Sequence, residues 1–325
     1  MADIKKIEID AGFALPRNDK VMLELDAKGL GLEIGPSFNP VASKRAGYNV
    51  HILDHLDTQG LRAKYPHLEP ENIEEVDFVW HGEPLAALIG QTGVYDWIVA
   101  SHVIEHVPDL ITFLQQCAQL LKPTGRLSLV VPDKRYCFDL YSPESSTGQI
   151  LDAYHAKSRR PTPGQIFDHY ANAVNRDGSI AWDPMATGKL ALHHDPTEAK
   201  KMWLQAQASE DYVDVHNWRF TPDNFRLLIT DLENLGLLPI GIIREFGTVG
   251  CEFFVTLGKH AAGWTAPERY PMLRQAATPQ PAAVPPPPAA AKPRKPEPTG
   301  YALAKRTGYR MWKKLQRRLI VATKR

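Results

Sequence analysis

Three observations predict an α/β fold built on a mostly parallel sheet. Between residues 31 and 132, short apolar runs alternate with amphipathic or turn-rich connectors, the pattern of buried strands joined by crossover helices. The chain has 325 residues, 43% of them hydrophobic, which is enough to bury such a core as one large domain or two ordinary ones. After an interruption, a helix pattern and two apolar runs between residues 221 and 258 restore the rhythm, as the closing edge of the same sheet would.

The elements follow in order. Strands are expected at 30–35 (LGLEIG), 49–54 (NVHILD), 74–80 (EEVDFVW), 96–101 (DWIVAS) and 126–132 (RLSLVVP). A helix is expected over 109–121, where Leu110, Phe113, Leu114, Cys117, Leu120 and Leu121 recur at helical spacing, and a shorter one over 61–65. Lys122, Pro123 and Gly125 then turn the chain into the fifth strand. From 134 to 218 the strand rhythm gives way to a segment rich in Asp, His, Arg and aromatic residues, read as an inserted cap of irregular helices and loops. Thr221 and Pro222 then start a helix with Phe225, Leu228, Ile229, Leu232 and Leu235 on its apolar face. Two further strands, LLPIGIIREF and EFFVTLG, are separated only by a tight connection and should pair antiparallel. The first domain is thus 1–258, with its core at 25–133 and 219–258 and the cap at about 134–218.

Beyond 258, the run PQPAAVPPPPAAAKPRKPEP favours extended conformations over a packed core, so 259–300 is read as a disordered linker. Residues 301–325 carry nine Lys and Arg and no acid, while Trp312, Leu315, Leu319 and Ile320 can share one helical face. This basic amphipathic tail suits an anionic membrane surface or a partner. Net charge is only +1, which gives the whole chain no electrostatic case for nucleic acid. Cys117, Cys137 and Cys251 form no CxxC pair, arguing against a structural zinc site or a disulfide framework. With no apolar leader pattern and no long apolar run, a cytoplasmic protein is expected, held at most peripherally at the membrane's inner face.

Chemistry concentrates at the ends of the predicted strands. Glu33, Gly35, Ser37 and Asn39 alternate directly after the first strand, where a tight turn lets a ligand approach the backbone. Ser37 is small and Asn39 tolerates a left-handed backbone. Asp54 ends the second strand about 20 residues on, placed to accept both hydroxyl hydrogens of a ribose. Residues 95–133, YDWIVASHVIEHVPDLITFLQQCAQLLKPTGRLSLVVPD, carry a Ser-His-x-x-Glu-His cluster at a strand end followed by LLKPTG. This block and the loop at 33–39 resemble class I S-adenosylmethionine-dependent methyltransferases of the type 11-like family, with Thr124 where that family has glycine.

The resemblance implies a Rossmann-like seven-stranded sheet with a helical cap after the fifth strand, and S-adenosyl-L-methionine as cofactor. It implies that Glu33, Gly35, Pro36, Ser37, Asp54 and Asp77 hold the cofactor, with Glu83 competing with Asp77 for the adenine. Ser101 and His102 would line its methionine end. Methyl transfer to oxygen needs a base for the acceptor proton. The histidines His106, His169 and His216 are the main candidates, beside His102, Asp133, His193, His194 and Asp214. Trp218 and Arg219 suit a sugar or phosphorylated acceptor, whereas Phe220 reads as packing. Association of similar sequences with glycosyltransferases favours a sugar or glycan hydroxyl among small acceptors.

Two other classes are open. HxxEH, here His102, Glu105 and His106, is also the inverted zinc-protease motif, which would make the chain a metal hydrolase. The chain could also be a non-catalytic module that binds a cofactor or partner. No metal is assigned. A variant keeps methyl transfer and adds a divalent ion on His102, Glu105, His106 and a cap histidine, as in some small-RNA and quinone-precursor methyltransferases. The oligomeric state is left open.

Overall fold

The computed structural model describes residues 15–260 and 267–278. Its strands there are β1 (Gly31–Ile34), β2 (Val50–Asp54), β3 (Phe78–Val79), β4 (Tyr95–Ser101), β5 (Leu121–Pro132), β6 (Val174–Arg176), β7 (Leu190–Leu192), β8 (Gly241–Val249) and β9 (Glu252–Gly258). The helices are α1 (Arg17–Met22), α2 (Thr58–Lys64), α3 (Leu85–Ile89), α4 (Leu110–Leu120), α5 (Thr147–His155), α6 (Pro163–Asn172), α7 (Pro196–Ala208), α8 (Pro222–Asn234) and α9 (Arg269–Ala277).

Seven strands form one sheet in the order β3-β2-β1-β4-β5-β9-β8, so the Rossmann-like α/β architecture read from the sequence is the one observed. Pairing from β3 through β5 is parallel, while β9 runs antiparallel to both its neighbours. Both faces are covered, and alternation along β4 shows how. Ile98 and Ala100 enter one apolar cluster with α4 and α8, whereas Trp97 and Val99 enter the other with Val21 of α1. Gly31 makes room for this packing, since a Cβ there would lie 2.0 Å from the Trp97 indole. Strand order reverses between β1 and β4, which opens a crevice at their carboxyl ends.

The helices start where the sequence supplies caps. Asp109 accepts the Thr112 amide at the head of α4, and Thr221 caps α8 with Pro222 behind it. Some boundaries differ from expectation. The third strand shrinks to two residues, and ahead of it Glu74 and Val76 bond to side chains instead. Ser43 Oγ meets Glu74 Oε1, and the Val76 amide donates to Thr58 Oγ1. The helix expected at 61–65 begins earlier, capped by Asp57. The last hairpin is tighter than the expected GTVGC connection, with β8 reaching Val249 and Gly250 turning at φ 62°.

The cap is more ordered than its composition suggests. It holds α5, α6 and α7, the first two started by capping boxes at Ser146 and Thr162, plus the ribbon of β6 and β7. The packed core extends past the limits of 25 and 258 expected for it. Ahead of residue 25, α1 lies on the sheet, where Ser128 Oγ donates to the Val21 carbonyl. Past residue 258, α9 corrects the reading of 259–300 as wholly linker. Its Met272 and Ala276 are buried with Leu227, and Arg269 pairs with Asp231 at 2.7 Å. Residues 279–325, including the basic tail at 301–325, lie outside the described residues.

Candidate functional site

The crevice at the reversal of strand order is shaped by three left-handed residues. Gly35 at φ 67° and Ser37 at φ 51° bend the chain leaving β1, and His102 at φ 56° bends it leaving β4. A Cβ on Gly35 would lie 3.0 Å from Val103 Cγ2, so the approach of the two loops depends on glycine. The left-handed position anticipated at Asn39 falls on Ser37 instead, held by its amide donating to Asp54 Oδ2 at 2.8 Å. Asp54 is buried at the end of β2, and its Oδ1 also accepts the His55 amide and meets His55 Nδ1 at 2.6 Å. A carboxylate offers about four acceptor positions, and these three contacts leave Oδ2 with one of its two positions open.

Other predicted cofactor residues stand differently. Glu33 is buried and accepts the Val41 and Ala42 amides at 2.6 and 2.9 Å, one on each oxygen, which shapes the loop after β1. Burial dominates over those bonds and pushes its carboxyl up to about 7. Asp77 is level with Ile52, short of the strand end, where it accepts the Ile52 amide and pairs with Lys44. Its carboxylate is thus engaged by β2 and by Lys44. The competing candidate, Glu83, lies in the turn just beyond β3, where its carboxylate accepts the His81 amide and its carbonyl accepts Trp80 Nε1.

Ser101 and His102 are joined by residues that sequence reasoning missed. Arg17 Nη2 donates to Ser101 Oγ at 2.8 Å, and Arg17 Nε to Glu252 Oε1 at 2.6 Å. Glu252 Oε2 in turn meets His102 Nε2 at 2.7 Å. Glu252 reaches this edge because β9 runs antiparallel and begins beside Pro132. Burial alone would raise its carboxyl, but His102 and Arg17 bring it to about 2.

Next to this edge lies a cavity of about 200 Å³, with His102, Glu105, His106 and His216 on its polar side and Phe138, Ile180 and Ala181 among its apolar walls. Glu105 is fully buried, and neither carboxylate oxygen has a hydrogen-bond partner among the described residues. Its Oε1 is 3.9 Å from His106 Nε2 and 4.0 Å from His216 Nε2. Each histidine has a carboxylate behind it: His106 Nδ1 is 2.8 Å from Asp214, and His216 Nδ1 is 2.5 Å from Asp139. Burial opposes a charge on His106, yet Asp214 and then Glu105 and Asp139 raise it to about 9. One ligating atom each from Glu105, His106 and His216 lies within 4.8 Å of the others.

The segment 212–218 fastens this cluster. The Asn217 amide donates to the Glu105 carbonyl, Asn217 Nδ2 and Tyr212 Oη to the His106 carbonyl, and Trp218 Nε1 to the Val107 carbonyl. Trp218 and Phe220 are therefore packing residues, 2% and 0% exposed. Arg219 is buried beside Asp139 and does not line the cavity. Nor does His169, which stacks edge-on to Phe138 and is held neutral by burial, well below the ordinary histidine range. That removes it from the bases facing an acceptor. His193 and His194 stack on each other in the cap, 4.8 Å between ring centres, and do not line the cavity. Asp133 is closed on Arg135 and Thr248.

The hydrolase reading needs His102 and His106 on one helix face. Residues 102–108 instead form a turn, and His102 is diverted to Glu252, so the motif does not have that geometry.

A family profile described as a methyltransferase domain matches residues 23–231. A ubiquinone biosynthesis O-methyltransferase of Psychrobacter cryohalolentis is 24% identical over 172 residues, 52% of this chain and 63% of the relative. The human mitochondrial protein of that name is 55% identical over 98 residues, 30% of this chain and 18% of the relative. The chain thus matches less than two thirds of either relative's length. Among solved structures, a Burkholderia thailandensis 1,6-didemethyltoxoflavin-N1-methyltransferase with bound S-adenosylhomocysteine aligns at a TM-score of 0.37, with 12% identity, over 75% of this chain and 76% of the other.

Proposed function

The chain belongs to the class I S-adenosylmethionine-dependent methyltransferases, and from that premise we propose that it methylates the hydroxyl of a small acceptor bound in the cavity beside His216. The cofactor supplies an electrophilic methyl group on a sulfonium. Everything else must come from the chain: a crevice to hold the cofactor, a cavity to aim the acceptor, and a group to take its proton.

Gly35, Pro36 and Ser37 form the close turn of the crevice, with Asp54 at the ribose and the Trp80–Glu83 turn at the adenine. The left-handed Gly35, where a Cβ would crowd Val103, is the observation that fits this cradle to a nucleoside. Ser101 and His102 border the methionine end, with Arg17 as the cation beside them.

The observation that carries the acceptor reading is the meeting of Glu105, His106 and His216 on one side of the cavity. His216, which lines the cavity with Nδ1 on Asp139 and Nε2 turned toward Glu105, is the histidine we assign as base. The name shared by the curated relatives favours oxygen as the methylated atom. A cavity of about 200 Å³ walled by Phe138, Ile180 and Ala181 suits a compact, partly apolar hydroxyl compound; a sugar or glycan finds few partners along those walls.

A second reading is favoured by the same cluster. Glu105, His106 and His216 could hold a divalent cation, because Glu105 is buried without a hydrogen-bond partner and both histidines turn Nε2 toward it with a carboxylate behind Nδ1. His102 Nδ1 is 3.6 Å from Glu105 Oε1, but with its Nε2 on Glu252 it does not join the three ligating atoms that cluster together.

No helix among the described residues is long and apolar enough to cross a membrane. Attraction of 301–325 to an anionic surface rests on its nine basic residues alone.

The test is methyl transfer from labelled S-adenosylmethionine to panels of small phenols, aliphatic alcohols, sugars, amines and thiols, with metal content measured on the same protein. Transfer to a hydroxyl, lost in His216→Asn, supports the reading. Transfer to an amine or thiol alone would remove it, and one equivalent of metal lost in Glu105→Ala would favour the second reading.

A further inference from the structure

The reading above leaves unexplained why His216 should present a bare nitrogen to the cavity rather than an N–H. Its partner on the other side is Asp139, which belongs to no motif and sits in the apolar stretch CFDLY. His216 Nδ1 and Asp139 Oδ2 are 2.5 Å apart, and both side chains are almost fully buried. Arg219 Nε lies 3.5 Å from the other oxygen, and Cys137 Sγ approaches Oδ2 at 3.8 Å. A carboxylate with a guanidinium on one oxygen is an acceptor only. The nitrogen facing it must then carry a proton, and in the neutral ring the proton cannot also be on Nε2.

We propose that Asp139 is the positioning residue of the site: it fixes His216 with the proton on Nδ1 and turns an unprotonated Nε2 toward Glu105 and the cavity. The inference rests on the reading of His216 as the group that meets the acceptor, but it concerns the ring's tautomer and orientation, which are measurable without an acceptor. Phe138 supports it from the side, its ring centre 4.5 Å from that of His216. With Nδ1 tied to Asp139 and one face against Phe138, the imidazole has little freedom to flip. Asp139 touches neither cavity nor acceptor, so its effect passes entirely through His216.

The test is nitrogen NMR of the full chain labelled with ¹⁵N-histidine, treated with EDTA, with His216→Asn identifying the signal. Expected is a His216 signature with protonated Nδ1 and bare Nε2 in the wild type. In Asp139→Asn that signature should be lost or replaced by the Nε2–H form, since an amide can donate to Nδ1. A wild-type ring with a proton on Nε2, alone or together with one on Nδ1, would overturn the proposal without any variant needing to fold. An unchanged signature in a folded Asp139→Asn would also overturn it. Titration of the same samples with S-adenosylhomocysteine tests the cofactor site separately: its failure in the wild type would sink the methyl-transfer site, while the nitrogen signals decide Asp139.

Discussion

His102 and Glu252 are separated by 150 positions in sequence and by 2.7 Å in the fold. Their contact joins the left-handed end of β4 to the start of the antiparallel β9, and Arg17 closes the group from α1. Three distant segments thus meet at the crevice through one buried carboxylate. Replacing Glu252 by Ala leaves Arg17 and His102 without that partner, and should lower unfolding free energy by about 2–3 kcal/mol. S-adenosylhomocysteine affinity should fall with it. Chemical denaturation and titration of the same variant check both.

Glu33 gives a pH dependence of known sign. Its carboxyl stands at about 7 in the fold against 4.5 for the free group, so the fold retains a proton that the unfolded chain releases. Stability from this residue is full below pH 4.5, falls as pH rises toward 7, and is level above. The loss is about 3 kcal/mol. Denaturation of wild type and Glu33→Gln across that window should show the slope in the first and its removal in the second.

Asp77 and Glu83 are separated by the same titration. Asp77→Ala leaves the Ile52 amide without its side-chain acceptor and should destabilise by about 1–2 kcal/mol, while leaving S-adenosylhomocysteine affinity within about threefold. Glu83→Ala should do the reverse. A large affinity loss confined to Asp77→Ala would return the adenine contact to that residue.

Ser37 is left-handed without being glycine. Ser37→Gly should keep the crevice and raise stability by about 0.5–1 kcal/mol. Ser37→Val, β-branched at φ 51°, should cost about 1–2 kcal/mol and weaken cofactor binding. Melting curves with and without S-adenosylhomocysteine measure each.

Much of the sheet was legible because its strands are apolar on both faces and its helices carry caps, as at Asp109 and Thr221. Strand-end residues such as Gly35, Asp54, Ser101 and His102 were legible for the same reason: a parallel sheet places them at one edge. The partners that give the site its chemistry were not. Asp139 lies 77 positions from His216, and Arg17 and Glu252 lie at opposite ends of the described domain. No local spacing encodes such pairs. An acid alone in an apolar run, as in CFDLY, was the one signal available. The ribbon of β6 and β7 was hidden because three-residue strands have too short a period to read. α9 was hidden because its neighbourhood is rich in Pro and Ala and its anchor, Asp231, lies on another helix.

The central claim is that the crevice at the ends of β1 and β2 holds S-adenosylmethionine, and calorimetric titration of wild type and Asp54→Ala with S-adenosylhomocysteine tests it most directly. Loss of a charged acceptor for the ribose hydroxyls should weaken binding about 10- to 100-fold in Asp54→Ala while the fold persists. Equal affinity in the two proteins, or no binding by the wild type, would contradict it.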